Sequence, residues 1–261
     1  MTEPILLEVS DGLARITLNR PGRLNAFNAE LAREWERVTA HVAADEGVGA
    51  ILIDGAGPAF CAGGDVAEMG TAMVGGSQLE ALAHTINTGI RALVESAIPV
   101  AAAAHGATAG GGLGILLSSD YAVAGTSSRI GARYANIGLS PDLSVTAQLA
   151  RAVGERRALQ LTLSDRMLTA EEALGWGLVA EVVPDDEVAA RAEAVARSWL
   201  EGATRAFGQA KRLVRAASTR SFAEQVDDEA RTIGQSFDTA EAKERIAAFV
   251  EAAARRKEGQ R

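Results

Sequence analysis

Three consecutive glycines at 110–112, set in Ala104-His105-Gly106-Ala107-Thr108-Ala109-Gly110-Gly111-Gly112-Leu113-Gly114, constrain this chain more than any other feature. An apolar run at 98–104 leads into them, and 113–118 after them is compatible with helix. Glycines at such a junction let the backbone approach a neighbour or ligand closely. The helix N-terminus that follows offers unpaired N–H groups to a developing negative charge. A second glycine-rich turn, Ala59-Phe60-Cys61-Ala62-Gly63-Gly64-Asp65, follows the apolar run 49–53. Two such turns can each contribute one N–H to an oxygen that becomes an anion, which is an oxyanion hole. Either turn alone also serves a plain strand-to-helix connection, so the information lies in the pair.

At 261 residues the chain can bury a sizeable core, as one large domain or two small ones. Hydrophobic content of 48 % with 23 % charged residues is that of an ordinary soluble globular protein. No apolar run is long enough to span a bilayer. Residues 1–10 have neither the basic start and apolar core of a signal peptide nor the Arg-rich start of a transit peptide. A cytoplasmic enzyme is therefore expected. The single Cys61 allows no internal disulfide, and three scattered histidines leave no clustered metal site, so no metal is expected. A net charge of −8 argues against nucleic acid as the partner.

Residues 5–9 and 13–18 alternate apolar and polar around Asp11-Gly12 and read as a hairpin. Asn28 can cap a helix with Leu31, Trp35, Val38 and Val42 on one face, and Gly47 can end it. Strand candidates at 49–53, 99–104 and 121–124 then alternate with helical stretches, which suggests stacked β-β-α units. Residues 70–76 read as a small-residue loop. From about Ser144 the pattern is mostly helical. Ser221 with Glu224 and Asp238 with Glu241 read as capping boxes. Phe222, Val226, Ile233 and Phe237 form one apolar stripe, and Ile246, Phe249 and Val250 the next. Such a tail covers either its own core or a neighbour's surface.

Several ordered motifs add to this reading: Asn19-Arg20-Pro21, Asn25-Ala26-Phe27-Asn28, residues 59–69 and 105–114, and Ile137-Gly138-Leu139-Ser140-Pro141-Asp142. They continue with Arg157-Ala158, Glu171-Glu172-Ala173, Trp176-Gly177-Leu178-Val179 and Val182-Val183. Together they resemble the crotonase (enoyl-CoA hydratase/isomerase) superfamily over nearly the whole length. The resemblance implies an α/β (α+β) fold, with a spiral of β-β-α units over 1–200 and a helical trimerisation region over 201–261. It implies a homotrimer or a hexamer. It also implies an acyl-CoA thioester substrate, with coenzyme A as part of that substrate and no other cofactor.

Under that resemblance the two oxyanion donors fall on Gly64 and Gly111. The family often has alanine at the first of these, and the backbone donor survives the change. Two glutamates activate water in the family's hydratases, and their places fall on Gly114 and Tyr134, neither of them a carboxylate. A phenol of ordinary pKa near ~10 is a poor base at neutral pH. Hydration by the two-glutamate route is therefore not expected. Asp142 is the alternative carboxylate, set in an apolar stretch where desolvation would raise its pKa. Isomerase relatives, including those acting on a ring-epoxide CoA thioester, place their catalytic aspartate there. Ser140, Pro141 and Asp142 also make a good helix start, so capping is the competing role. A 4-chlorobenzoyl-CoA dehalogenase is similar as well: its nucleophilic aspartate matches Asp142 and its supporting tryptophan matches Tyr134. Its deacylating histidine, however, falls on Asn87.

The resemblance implies coenzyme A along Arg23, Leu24 and Ala26 and along Ala62, Gly63, Gly64, Asp65 and Val66, with Gly111 beside the thioester. Arg23 reads either as a phosphate contact or as a plain exposed arginine. His105 reads as a structural histidine and Cys61 as a packing residue. Glu80, on the segment after the loop, is a further candidate to reach the pocket. The expected reaction is double-bond isomerisation of an enoyl-CoA. The alternatives are a catalytically idle acyl-CoA-binding subunit, hydration by another base, and dehalogenase-like hydrolysis. RNA binding, known in one branch of the superfamily, is disfavoured by the acidic balance.

Overall fold

The computed structural model of the protein describes residues 3–258. Strands β1 (Ile5–Ser10) and β2 (Leu13–Leu18) pair antiparallel, joined by Asp11 and Gly12, both with positive φ. Those angles suit the tight turn that Asp-Gly favours. Asn28 then caps α1 (Ala29–Ala44), its side chain accepting from the Leu31 amide at 2.9 Å. The helix stops at Ala44, three residues before the expected Gly47, because the Asp45 side chain takes the Gly47 amide in a turn of its own. The chain continues through β3 (Ala50–Gly55), α2 (Val66–Ala72), α3 (Gly76–Glu95), β4 (Val100–Ala104) and β5 (Ala107–Ala109). Residues 70–76 are thus not one loop, since helix occupies both ends and only 73–75 connect them.

Next come α4 (Gly111–Leu117), β6 (Tyr121–Gly125), β7 (Arg129–Gly131), α5 (Val145–Val153), α6 (Glu155–Thr162), β8 (Leu168–Thr169), α7 (Ala170–Trp176) and β9 (Glu181–Val183). Helices α8 (Val188–Glu201), α9 (Thr204–Ala216), α10 (Phe222–Phe237) and α11 (Ala240–Glu258) complete the described chain. Six strands form one sheet in the order β1-β2-β3-β4-β6-β9, and β5-β7-β8 form a smaller one. Each spiral turn gives a strand to the large sheet, a short strand or bridge to the small one, and a helix. The sets are β3, Cys61 and α3, then β4, β5 and α4, then β6, β7 and α5. The expected β-β-α spiral is the observed fold.

Strand alternation divides the core into two layers. Ile51, Ile53, Ala102 and Ala104 face α1 and α3 with Trp35, while Ala50, Leu52, Ala101 and Ala103 face Val188, Ala192 and Ala196 of α8. Trp35 donates its indole N–H to the Ile86 carbonyl at 3.2 Å. A Cβ at Gly89 would stand 2.3 Å from that indole nitrogen, so the α1–α3 contact needs glycine there. Lys211 of α9 is buried, donating to the Leu93 and Ile98 carbonyls at 2.7 and 2.6 Å with Asp120 at 3.2 Å.

The Ser221 capping box forms as expected, but the second does not. Thr239, rather than Asp238, accepts the Ala242 amide at the start of α11. The apolar stripe of α10 and α11 is not covered by the chain's own core: Phe222 is 83 %, Ile233 72 % and Phe249 76 % exposed. No described helix is long and apolar enough to cross a membrane.

Two glycines test how far this packing depends on missing side chains. A Cβ at Gly112 would lie 2.1 Å from the Cys61 carbonyl oxygen, a backbone atom that cannot step aside, whereas Gly234 in α10 has open space around it. Gly112→Ala should lose about 3 kcal/mol or more in urea unfolding. Gly234→Ala should gain about 0.5–1 kcal/mol. Equal effects of the two would show that the approach of α4 to Cys61 is not a constraint.

Candidate active site

The motif around Asn25 is a clamp for the first glycine turn. Asn25 is fully buried at φ +56°. Its side chain accepts the Arg20 amide at 2.8 Å and donates to the Ala56 and Ala59 carbonyls at 2.9 and 2.8 Å. The Arg20 guanidinium bonds the Ala26 carbonyl and reaches Asp65 at 3.0 Å. The Phe27 amide donates to Gly63 O at 2.7 Å and the Asp65 amide to Phe27 O at 2.9 Å. Around Gly64, both neighbouring peptides are therefore tied down. Among the described residues the Gly64 amide itself has no acceptor.

The second turn presses against the first. Gly63 takes φ +105°, and a Cβ on it would meet Ala109 O at 2.8 Å and the Gly111 amide nitrogen at 3.2 Å. Gly110 adopts φ +51°, ψ −125°, a conformation that only glycine visits readily. It starts α4, leaving the Gly111 N–H at the first helical position with no acceptor among the described residues.

The third segment corrects an expectation. Ser140, Pro141 and Asp142 do not begin a helix; α5 starts at Val145 after Leu143 and Ser144, both left-handed at φ +47° and +64°. Asp142 is thus no helix cap. Its Oδ1 accepts the Tyr134 hydroxyl at 2.7 Å. Leu143 lies on α4: a Cβ at Gly114 would be 2.1 Å from Leu143 O, and one at Gly111 2.5 Å from Leu143 Cδ1. Burial raises the Asp142 carboxyl, and the Tyr134 hydroxyl partly opposes the rise. Burial, then the neighbouring Asp142 charge, drives the Tyr134 phenol far above its ordinary range, so it remains a donor.

A cavity of about 500 Å³ gathers these groups. Gly64, Gly111, Tyr134 and Asp142 line it together with Ala62 and Val66. Its wall is largely apolar, with Phe27, Met69, Leu82 and Ile86, and Glu80 of α3 also faces it. Arg23, Leu24, Ala26, Gly63 and Asp65 do not line this cavity. Leu24 O accepts the Ala62 amide at 2.9 Å, and Arg23 borders a separate depression with Arg20 and Glu30. The Asp65 side chain caps α2 through the Glu68 amide; burial would raise its carboxyl, but Arg20 and that amide hold it below its usual range.

His105 bonds Gly57 O at 2.8 Å. Cys61 is buried, its thiol pushed up to about 12 by desolvation, which leaves it no nucleophile. Among the described residues no group of three His, Cys, Asp or Glu could hold a metal ion. Sequence reasoning missed Met69 and Leu143. Asp65 followed by Glu68 has the spacing of a helix start, which would have placed Met69 one turn inside a helix above Gly64. Nothing local announced a left-handed leucine.

The sequence profile of the enoyl-CoA hydratase/isomerase family matches residues 8–259. The chain is 33 % identical to the 1,2-epoxyphenylacetyl-CoA isomerase of Escherichia coli K12, over 96 % of each protein. It is 32 % identical to 4-chlorobenzoyl coenzyme A dehalogenase-2 of an Arthrobacter species, over 94 % of this chain and 90 % of that one. Among solved structures it is similar to the enoyl-CoA hydratase of Mycobacterium smegmatis, with a TM-score of 0.90 and 27 % identity, covering 95 % of this chain and 96 % of that one. Fold, clamp motif and glycine turns thus have one explanation: the chain belongs to the enoyl-CoA hydratase/isomerase family.

The raised Asp142 carboxyl has a definite sign in stability. The folded chain holds this proton more tightly than the unfolded one, so the group's contribution is fully present below the ordinary carboxyl pKa and is lost as pH rises through the raised value. Asp142→Asn should therefore unfold in urea at least as late as wild type at pH 7, with the gain vanishing below about pH 4. Tyr134→Phe removes the opposing hydrogen bond and should raise the Asp142 pKa further, read by carboxyl carbon NMR. A fall in that pKa would mean that the hydroxyl does not stabilise the charged form.

Proposed function

We propose that the protein isomerises the double bond of an enoyl-CoA-type thioester, with Asp142 as the base and the Gly64 and Gly111 amides as the oxyanion hole. One observation carries the reading. A single half-buried carboxylate, held by the Tyr134 hydroxyl at 2.7 Å, shares a mostly apolar cavity with two unpaired amides, while Leu143 leaves no room at Gly114 for a second. In the proposed reaction Asp142 takes a proton from a carbon of the acyl chain that the thioester acidifies. The electron pair moves onto the thioester oxygen, giving a dienolate that the two amides stabilise. The carboxyl then returns the proton to another carbon. The double bond shifts and no atom is gained or lost. A carboxyl raised by burial suits both steps, because it gives and takes a proton more evenly near neutral pH.

Coenzyme A enters as part of the substrate, along the backbone of Leu24, Ala26 and the first glycine turn, with Arg23 toward its phosphates. The exposed stripe of α10 and α11 fits the expected homotrimer or hexamer. A stable monomer in light scattering would count against that assembly. A second reading, hydration, is favoured by Glu80, a second carboxylate in the same cavity wall.

Incubation with a panel of enoyl-CoA thioesters in heavy water, followed by mass spectrometry, separates the two. Deuterium uptake without added water supports isomerisation; added water supports hydration and rejects the first reading. Asp142→Asn should lower turnover by roughly 10²–10⁴-fold with thioester binding retained. Near-wild-type turnover in that variant would place the base elsewhere. Gly64→Pro removes one donor and should cost about 3 kcal/mol of barrier.

A further inference from the structure

The space that a Cβ on Gly64 would take is filled by another side chain. Met69 Cε lies 2.2 Å from where that carbon would sit, with Met69 Sδ at 3.7 Å, so a side chain at Gly64 and this position of Met69 exclude each other. Met69 stands in the first turn of α2, where its amide donates to Asp65 O at 2.9 Å and the Asp65 carboxylate caps the helix. Its backbone is thus fixed, while its side chain is unbranched with three rotatable bonds. Gly64 and Met69 both face the cavity, beside Val66 and Leu79. The wall next to the Gly64 amide is therefore the end of a flexible thioether and not a methyl rigidly attached to the backbone.

We propose that Met69 is a specificity-determining residue, a movable wall beside the thioester carbonyl that withdraws to admit acyl groups bearing a ring or branch next to that carbonyl. This rests on the reading that the Gly64 amide receives the thioester oxygen. A fixed methyl at position 64 would hold its ground against such a group. The Met69 terminus gives way by rotating about its own bonds, leaving α2 and the glycine turn undisturbed.

The test is calorimetric binding of two saturated, unreactive thioesters, butanoyl-CoA and cyclohexanecarbonyl-CoA, to wild type, Gly64→Ala and Met69→Ala. Wild type should bind both. Gly64→Ala should weaken cyclohexanecarbonyl-CoA relative to butanoyl-CoA by about tenfold or more, and Met69→Ala should strengthen it relative to butanoyl-CoA by a similar factor. Gly64→Ala decides the matter alone should Met69→Ala fail to fold by circular dichroism. A ratio of dissociation constants unchanged within about twofold in the folded variants, or wild-type binding of butanoyl-CoA only, overturns the movable wall while leaving the site intact. Binding of neither thioester by wild type overturns the reading of the site itself.

Discussion

At Gly112 and Gly114 the helix α4 is packed on two sides directly against backbone carbonyls. Positions for Cβ atoms on Gly112 and Gly114 fall 2.1 Å from carbonyl oxygens of Cys61 and Leu143, and one on Gly63 falls 2.8 Å from Ala109 O. Three segments distant in sequence thereby meet at less than the thickness of a side chain. Any residue larger than glycine would have to displace peptide groups that are themselves held by the sheets. The consequence is local and chemical as well as structural. Amides at Gly64 and Gly111 are brought to one cavity, and Asp142, next to the leucine that lies on α4, is brought to the same place. Site geometry here is a by-product of close backbone packing.

The clamp around Asn25 complements this contact from the other side. Hydrogen bonds from Asn25 and Arg20 to Ala56, Ala59 and Ala26 hold the first turn where α4 can press on it. Buried polar groups that are fully partnered rigidify their surroundings, and those left unpartnered are costly. Most polar groups near the two turns are partnered. The Gly64 and Gly111 amides, which have no acceptor among the described residues, stand apart from that pattern.

Much of the fold was legible because its signals were local. Asp11-Gly12 demanded a tight turn, Asn28 demanded a helix start, and Leu31, Trp35, Val38 and Val42 fixed its buried face; all four are fully buried. The glycine turns were legible for the same reason: the glycines that permit their close approach are adjacent in sequence. The mistaken parts turned on long-range packing. Ser140-Pro141-Asp142 has good helix-start chemistry, yet Leu143 is drawn onto α4 and twisted left-handed, delaying the helix to Val145. For Met69 the Asp65–Glu68 spacing marks the helix, but what its side chain fills is the space of a missing Cβ on Gly64, and absence of a side chain has no pattern in one dimension. Thr239 prevailed over Asp238 as a cap by a single residue, a difference well within the reach of the neighbouring turn.

The carboxylate count of the site follows from the same packing. A glutamate at position 114 would need its Cβ where Leu143 O already stands, so the approach that positions Asp142 also closes the nearest place for a second acid. Tyr134, which holds Asp142, cannot substitute for one, since burial and the adjacent charge keep its proton in place. Glu80 is the remaining acid in the wall, but it sits on α3 with most of its side chain exposed and His84 3.7 Å away. Water screens it there, whereas Asp142 is partly withdrawn from solvent. Two acids of such unequal surroundings do not divide a proton transfer symmetrically. Asp142 is held by a buried phenol at 2.7 Å, whereas Glu80 faces solvent beside an equally exposed histidine.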